Sequence, residues 1–213
     1  VEGKEKPGAV VVIDAETWQI KKVIDDKRLN NPHNLWLSED GVVVFQTNWF
    51  GKELSVIDRY SGLLVKHIYV GESPAHVMTA DGKVYVTLQG EDGIAVLDGT
   101  TYVVERKLKT IVGGEKGPGR GPHGNWMSMD GKLMAIAHTE GGSISVWNLT
   151  SEEIMFEHGV DPLPLFAGIS PDGRFAWTAS LATGKLSVFS VENRTLIKEI
   201  MVGKAPIQAV PSP

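Results

Sequence analysis

The sequence predicts an all-β fold, a β-propeller of four-stranded antiparallel blades. Two independent repeats and the strand composition carry that prediction. A short apolar pair followed by a polar residue recurs as Val12-Ile13-Asp14, Val56-Ile57-Asp58, Val96-Leu97-Asp98, Val146-Trp147-Asn148 and Val188-Phe189-Ser190. An Asp-Gly turn recurs at 40–41, 81–82, 130–131 and 172–173. Both anchors repeat every 40–50 residues, the length of one blade. The intervening runs are rich in Val, Ile, Phe and Tyr and show no long helical periodicity.

The elements follow in chain order. The N-terminal segment supplies two strands, 10–14 and 20–24. The next unit supplies four: 34–38, 42–47, 54–58 and 63–68. Asp40-Gly41 closes its first hairpin, because Asp-Gly matches the twist of paired strands. Tyr60-Ser61-Gly62 closes its third. Val42-Val43-Val44-Phe45 is apolar on both faces, as a sheet packed between two sheets requires. Further units run through 76–80, 84–88, 94–98 and 103–108, then 124–129, 133–138, 144–148 and 154–158, then 166–170, 175–179, 186–190 and 196–201. The segment 207–212 reads as one more first strand. About five units are therefore visible. The expectation is a single propeller domain over 1–213, incomplete at both ends and part of a ring of seven or eight blades. The chain begins at Val1, which fits a processed or incomplete N-terminus.

Composition excludes several classes of function. The net charge of −5 offers no basic face for nucleic acid. No apolar run reaches the roughly 18–20 residues of a membrane span. The absence of cysteine removes disulfides, thiolate metal sites and thiol nucleophiles. The loop 113–121 is glycine-rich but lacks the Gly-Lys-Ser/Thr ending of a phosphate cradle. Asn148-Leu149-Thr150 and Asn193-Arg194-Thr195 fit a glycosylation sequon, yet fall at hairpins where Asn shapes the turn.

The histidines carry the functional reading. The first strand of each blade lines the central channel, so a residue just before it points to the axis at one mouth. His33 and His123 each stand seven residues before the Asp of their turn; His76 stands five before its own and aligns with them to within one position from Pro74. His138 ends a second strand on the same face, where the other blades carry Asn48, Leu88 and Ala179. Leu165-Phe166 and Ile207-Gln208 occupy the histidine position in the last two units. One reading makes each imidazole a polar cap on its strand entry. The other makes His33, His76, His123 and His138 ligands of copper or zinc, or axial ligands of a haem, since imidazole is a borderline-soft nitrogen donor. Arg120 and Lys116 stand in the loop before His123 and could hold an anion. Trp36 and Trp126 follow their histidines by three residues; packing between blades is one role, stacking on a substrate another. His67 and His158 fall on fourth strands and read as solvated and structural.

Val70-Gly71-Glu72-Ser73-Pro74 followed by Lys83-Val84-Tyr85-Val86-Thr87, and Val202-Gly203-Lys204-Ala205-Pro206, resemble the YVTN family of β-propellers. That family includes surface-layer modules, binding proteins and enzymes, so it implies a fold more than a function. Asn31-Pro32-His33-Asn34, Pro74-Ala75-His76 and Gly121-Pro122-His123-Gly124-Asn125-Trp126 are similar to ligand loops of copper propellers of the nitrous oxide reductase and thiocyanate dehydrogenase kind. Thr47-Asn48-Trp49-Phe50-Gly51-Lys52 looks like a loop of the thiocyanate-oxidising group, with Asn48 where that group has a histidine. Val11-Val12-Ile13-Asp14, 20–26 and Pro118-Gly119-Arg120-Gly121 resemble the haem d1 propeller. The resemblance implies a periplasmic or extracellular, copper-dependent oxidoreductase. It would act on a small inorganic anion or a nitrogen or sulfur compound. Arg120, Lys116, Asn48 and Trp126 would lie on the substrate side, with an electron-transfer protein as partner. Haem d1 is the variant cofactor. The alternative class is a non-catalytic propeller that binds a protein or polymer.

Overall fold

A computed structural model describes residues 7–110 and 120–211. It shows eighteen strands among them, in one pair and four four-stranded blades, the last two of which are joined into an eight-stranded sheet by a single parallel bridge, Gly124–Phe166. The first blade is represented by β1 (Val10–Ile13) and β2 (Ile20–Ile24). The second runs through β3 (Pro32–Leu37), β4 (Val43–Asn48), β5 (Glu53–Asp58) and β6 (Leu64–Tyr69). The third comprises β7 (Pro74–Ala80), β8 (Lys83–Leu88), β9 (Gly93–Asp98) and β10 (Val104–Lys109). The fourth comprises β11 (Pro122–Met127), β12 (Leu133–His138), β13 (Ser143–Asn148) and β14 (Glu153–Gly159). The fifth comprises β15 (Pro164–Ile169), β16 (Phe175–Ser180), β17 (Lys185–Ser190) and β18 (Thr195–Met201). Each full blade is an antiparallel meander from its inner strand outwards. No helix among the described residues is long and apolar enough to cross a membrane.

Burial explains why the middle strands read as unbroken apolar runs. Val43 and Phe45 enter the core between the second and third blades, while Val44 packs against the core between the first and second. Val84 and Val86 face backwards, and Tyr85 faces forwards to the fourth blade. Met134 and Ile136 face the third blade, and Ala135 and Ala137 the fifth. Successive side chains thus serve two inter-blade cores, each buried Val, Ile, Phe or Met contributing about 1.5–3 kcal/mol.

The polar residue of the first repeat anchor has a defined job. The side chains of Asp14, Asp58, Asp98 and Asn148 accept backbone N–H bonds from residues two or three positions on, closing the hairpin between third and fourth strands. Ser190 does the same for Asn193. The Asp-Gly anchor divides in two. Asp81 and Gly82 both have positive φ and join Ala80 to Lys83 in a two-residue turn. At 40–41, 130–131 and 172–173 only the glycine has positive φ. There a preceding Ser (38, 128 or 170) bonds the Asp and caps a longer turn.

Two expectations are corrected. Residues 207–211 form no strand: they run unpaired past the fifth blade, where the Ala209 carbonyl accepts the Trp177 indole N–H at 2.9 Å. His67 and His158 are half-buried rather than solvated. The His67 ring nitrogens are buried beside Glu53, and His158 stacks on Phe189 at 5.4 Å and bonds the Arg194 carbonyl across the blade boundary.

Candidate metal centre

Each inner strand is entered the same way. Pro32, Pro74, Pro122 and Pro164 open β3, β7, β11 and β15, and the residue before each proline is left-handed: Asn31 (φ 55°), Ser73 (49°), Gly121 (68°) and Leu163 (60°). Each proline pairs with the end of the second strand, at Asn48, Leu88, His138 and Ser180. The register then slips, so that two residues oppose one. The entry is therefore a β-bulge, a device that re-aims side chains. His33 and His123 occupy the first bulge position; His76 occupies the second, level with Asn34, Gly124 and Phe166.

The bulges bring the three imidazoles together at one mouth of the channel. Ring centroids lie 5.5 Å apart for His33–His76, 5.2 Å for His33–His123 and 5.1 Å for His76–His123. One nitrogen from each falls within 4.8 Å of the other two. Nitrogens about 2.0 Å from a shared ion stand roughly 3.5 Å apart, so a contraction of about an ångström would close the set.

Neighbouring groups fix the rings. His123 Nδ1–H donates to the Leu165 carbonyl at 2.7 Å. A carbonyl only accepts, so Nδ1 holds the proton and Nε2 is left as the donor atom for a metal. Gly124 permits this contact: a Cβ there would lie 2.5 Å from the Leu165 oxygen and 2.7 Å from Phe166 Cα. Thr87, fully buried on β8, accepts the His76 N–H at 3.0 Å and donates to the His123 carbonyl at 2.7 Å. One hydroxyl thus couples the backbones of two imidazole-bearing residues across a blade boundary. Trp49 packs on His33 at 4.5 Å and on His123 at 5.3 Å, and Phe166 on His76 at 5.1 Å.

These surroundings keep the imidazoles neutral. Burial, then the neighbouring His123 and His33, pushes His76 well below its usual value. Burial lowers His123. His33 keeps an edge open at the mouth, yet burial of its inner side and the proximity of His123 push it down to about 4. Three neutral imidazoles are the protonation state that metal binding needs.

The remaining sequence-predicted residues lie as follows. His138 is outside the three-histidine group; it is fully buried in the fourth blade and bonds Ser145 Oγ at 2.7 Å. Asn48 holds the equivalent place in the second blade and donates to Ser55 Oγ at 2.8 Å. Both thus tie a second strand to a third. The register makes Ser180 their fifth-blade counterpart, in place of Ala179. Arg120 lies 3.6 Å from Asp92, which also accepts the Gly121 N–H. Lys116, with most of the 113–121 loop, lies outside the described residues. Trp126 packs edge-on against Trp36 at 5.6 Å, between blades. Sequence reasoning missed Trp49 as a wall of the site, although it directly follows Asn48 at the end of a second strand on the histidine face. It had no means of finding the Leu165 carbonyl or the Thr87 hydroxyl, whose roles depend on blade-to-blade contacts.

Four-stranded blades around a channel, with imidazoles from three of them at one mouth, define a β-propeller with a candidate three-histidine centre. The chain belongs to the YNCE-like beta-propeller family, which matches residues 8–210, and the YVTN resemblance of its repeats agrees with that. No protein of curated function matches it in sequence. Among solved structures it is similar to hydrazine synthase of Kuenenia stuttgartiensis, with a TM-score of 0.69 and 21% identity over 81% of this chain and 49% of that one. It is also similar to a functionally unknown protein from Desulfotomaculum acetoxidans, with a TM-score of 0.71 and 12% identity over 93% of this chain and 66% of that one. At these identities the likeness is one of fold. The chain spans about half the length of the first and about two thirds of the second.

Proposed function

We propose that this propeller binds copper through His33, His76 and His123 and works as a redox protein on a small inorganic anion or a nitrogen or sulfur compound. The observation that supports it is the convergence of three neutral imidazole nitrogens within 4.8 Å, each from a different blade. An all-nitrogen donor set favours copper over other divalent first-row ions, zinc being its main competitor. A haem takes one or two axial ligands, and three imidazoles aimed at one point fit an ion better. Bound copper would supply a one-electron couple and an open coordination position. The residues of the chain do the rest. The Leu165 carbonyl orients His123, Thr87 locks His76 to His123, and Trp49 and Phe166 keep bulk water from the rings. Arg120, its side chain 45% exposed on the histidine face, would draw an anion to the mouth. A periplasmic or extracellular setting and an electron-transfer partner belong to the same proposal.

Metal analysis and visible or paramagnetic resonance spectroscopy of the purified protein test it. About one copper per chain is expected, reduced to a trace by His33→Ala with His123→Ala. A protein that takes up no copper refutes the proposal, copper that survives the double substitution places the site elsewhere, and preferential zinc uptake refutes the redox role.

A further inference from the structure

Three inner strands carry large, soft side chains at one shared position. Trp36, Met78 and Trp126 stand level on β3, β7 and β11, opposite Phe45, Tyr85 and Ala135 of their second strands. The rings of Trp36 and Trp126 are 5.6 Å apart between centroids and 83° to one another. Perpendicular rings form a corner in which a guest can meet a face of each, and the face is the negative side of an aromatic ring.

Both indoles and Met78 line a recess of about 320 Å³ at the mouth opposite the histidines, among the Asp-Gly turns. At about 30 Å³ for each water, it has room for roughly ten waters and so for a small ligand taken in whole. Glu39, Asp81 and Asp130, one from each of three blades, stand exposed around it, and no Lys, Arg or His lines it. Lys132 comes within 3.9 Å of Asp130, but their side chains are 70% and 57% exposed, so solvent screens the pair. The carboxylates therefore set the sign of the field over this mouth, which attracts cations.

The kind of cation follows from what the walls can offer. Glu39 Oε2 already accepts the Gly82 N–H at 2.7 Å, and Asp130 Oδ1 accepts the Ser128 hydroxyl at 2.7 Å and the Lys132 N–H at 3.1 Å. A primary ammonium is strongly hydrated and needs acceptors in place of its water, and two of the three carboxylates are already engaged. A quaternary ammonium donates no hydrogen bond. Its methyl groups bury against the indole faces and the polarizable Met78 sulfur, and its charge is met by the rings and the field.

We propose that this recess binds a small quaternary ammonium compound of the choline class, its trimethylammonium head against Trp36 and Trp126. The site lies at the other end of the inner strands from His33, His76 and His123 and needs no metal, so it stands apart from the copper reading.

Calorimetric titration of the full, metal-free chain with choline is the test. Betaine, which adds a carboxylate, and the alcohol with a tert-butyl group in place of the trimethylammonium head are titrated in parallel. Saturable binding of choline is expected, at least about tenfold tighter than either comparison compound and weakening as salt is raised. Trp126→Leu is expected to weaken choline at least about tenfold. The combined variant Glu39→Gln, Asp81→Asn and Asp130→Asn keeps an acceptor at each position and sits on the exposed rim, so it remains a test if Trp126→Leu does not fold. It is expected to weaken choline at least about threefold and to flatten the salt dependence. Absence of saturable choline binding overturns the proposal. Equal binding of the tert-butyl alcohol, or unchanged choline affinity in either folded variant, does the same. Binding of an oligolysine peptide in preference to choline would assign the recess to a protein partner and overturn it as well.

Discussion

Replacing Thr87 by Val isolates the coupling between blades from the chemistry of the rings. The substitution keeps the shape of a fully buried side chain and removes one hydroxyl. Two bonds are lost, the 3.0 Å bond from the His76 N–H and the 2.7 Å bond to the His123 carbonyl. Each is worth about 1 kcal/mol net, and leaving a buried partner bare costs about 1–3 kcal/mol. Both partners lie in bulges, where the strand register is interrupted. The expected loss is therefore about 2–4 kcal/mol, or roughly 5–15 °C in Tm for a chain of this size. Denaturant and thermal unfolding read the loss directly, and a copper titration reads its effect on the site. Thr47→Val is the comparison: Thr47 makes the same kind of tie one blade earlier, to Asn34 and Ala75, neither of them an imidazole. It should cost similar stability and weaken copper less. A Thr87→Val protein within 0.5 kcal/mol of the parent, the ordinary scatter for substitutions away from such features, would refute the coupling. So would equal copper affinity in the two variants.

Three further outcomes follow from the same contacts. His33, His76 and His123 are held neutral in the fold but would take up protons near pH 6.5 once unfolded. Their contribution to stability is therefore complete above pH 6.5 and falls as pH drops towards about 4, where His33 itself titrates; a Tm independent of pH between 7.5 and 4.5 would contradict this. His138→Ala should cost about 1–3 kcal/mol by removing one of the two partners of the buried Ser145 Oγ, which keeps the Trp147 indole N–H, and leave copper stoichiometry unchanged; loss of metal would add His138 to the ligands. Gly124→Ala drives a Cβ into the Leu165–Phe166 backbone and should cost about 1–3 kcal/mol while weakening copper through His123, and unfolding equal to the parent's would contradict the close approach.

The repeat anchors made the propeller legible because each reports a local interaction. An Asp capping its own hairpin and a glycine at positive φ are settled within four residues, so their spacing survives in the sequence as period. The middle strands were equally legible, since burial on both faces leaves an unbroken apolar run. Residues 207–211 misled for the converse reason: they carry the composition of an inner strand, but a strand is made by its partner.

The site was legible only in part, and His76 shows why. It stands five residues before its Asp instead of seven. One residue of that difference comes from the two-residue turn at Asp81-Gly82, and the other from its place in the second position of the bulge. In a regular strand a shift of one residue sends a side chain to the opposite face, and His76 would then point away from His33 and His123. In a bulge two residues share one partner and the alternation is broken, so both positions can face the channel. The same irregularity interrupts the ladder and makes the Thr87 hydroxyl necessary to hold the backbone. The feature that blurs the histidine pattern in the sequence is thus the one that lets three blades present imidazoles to a single point.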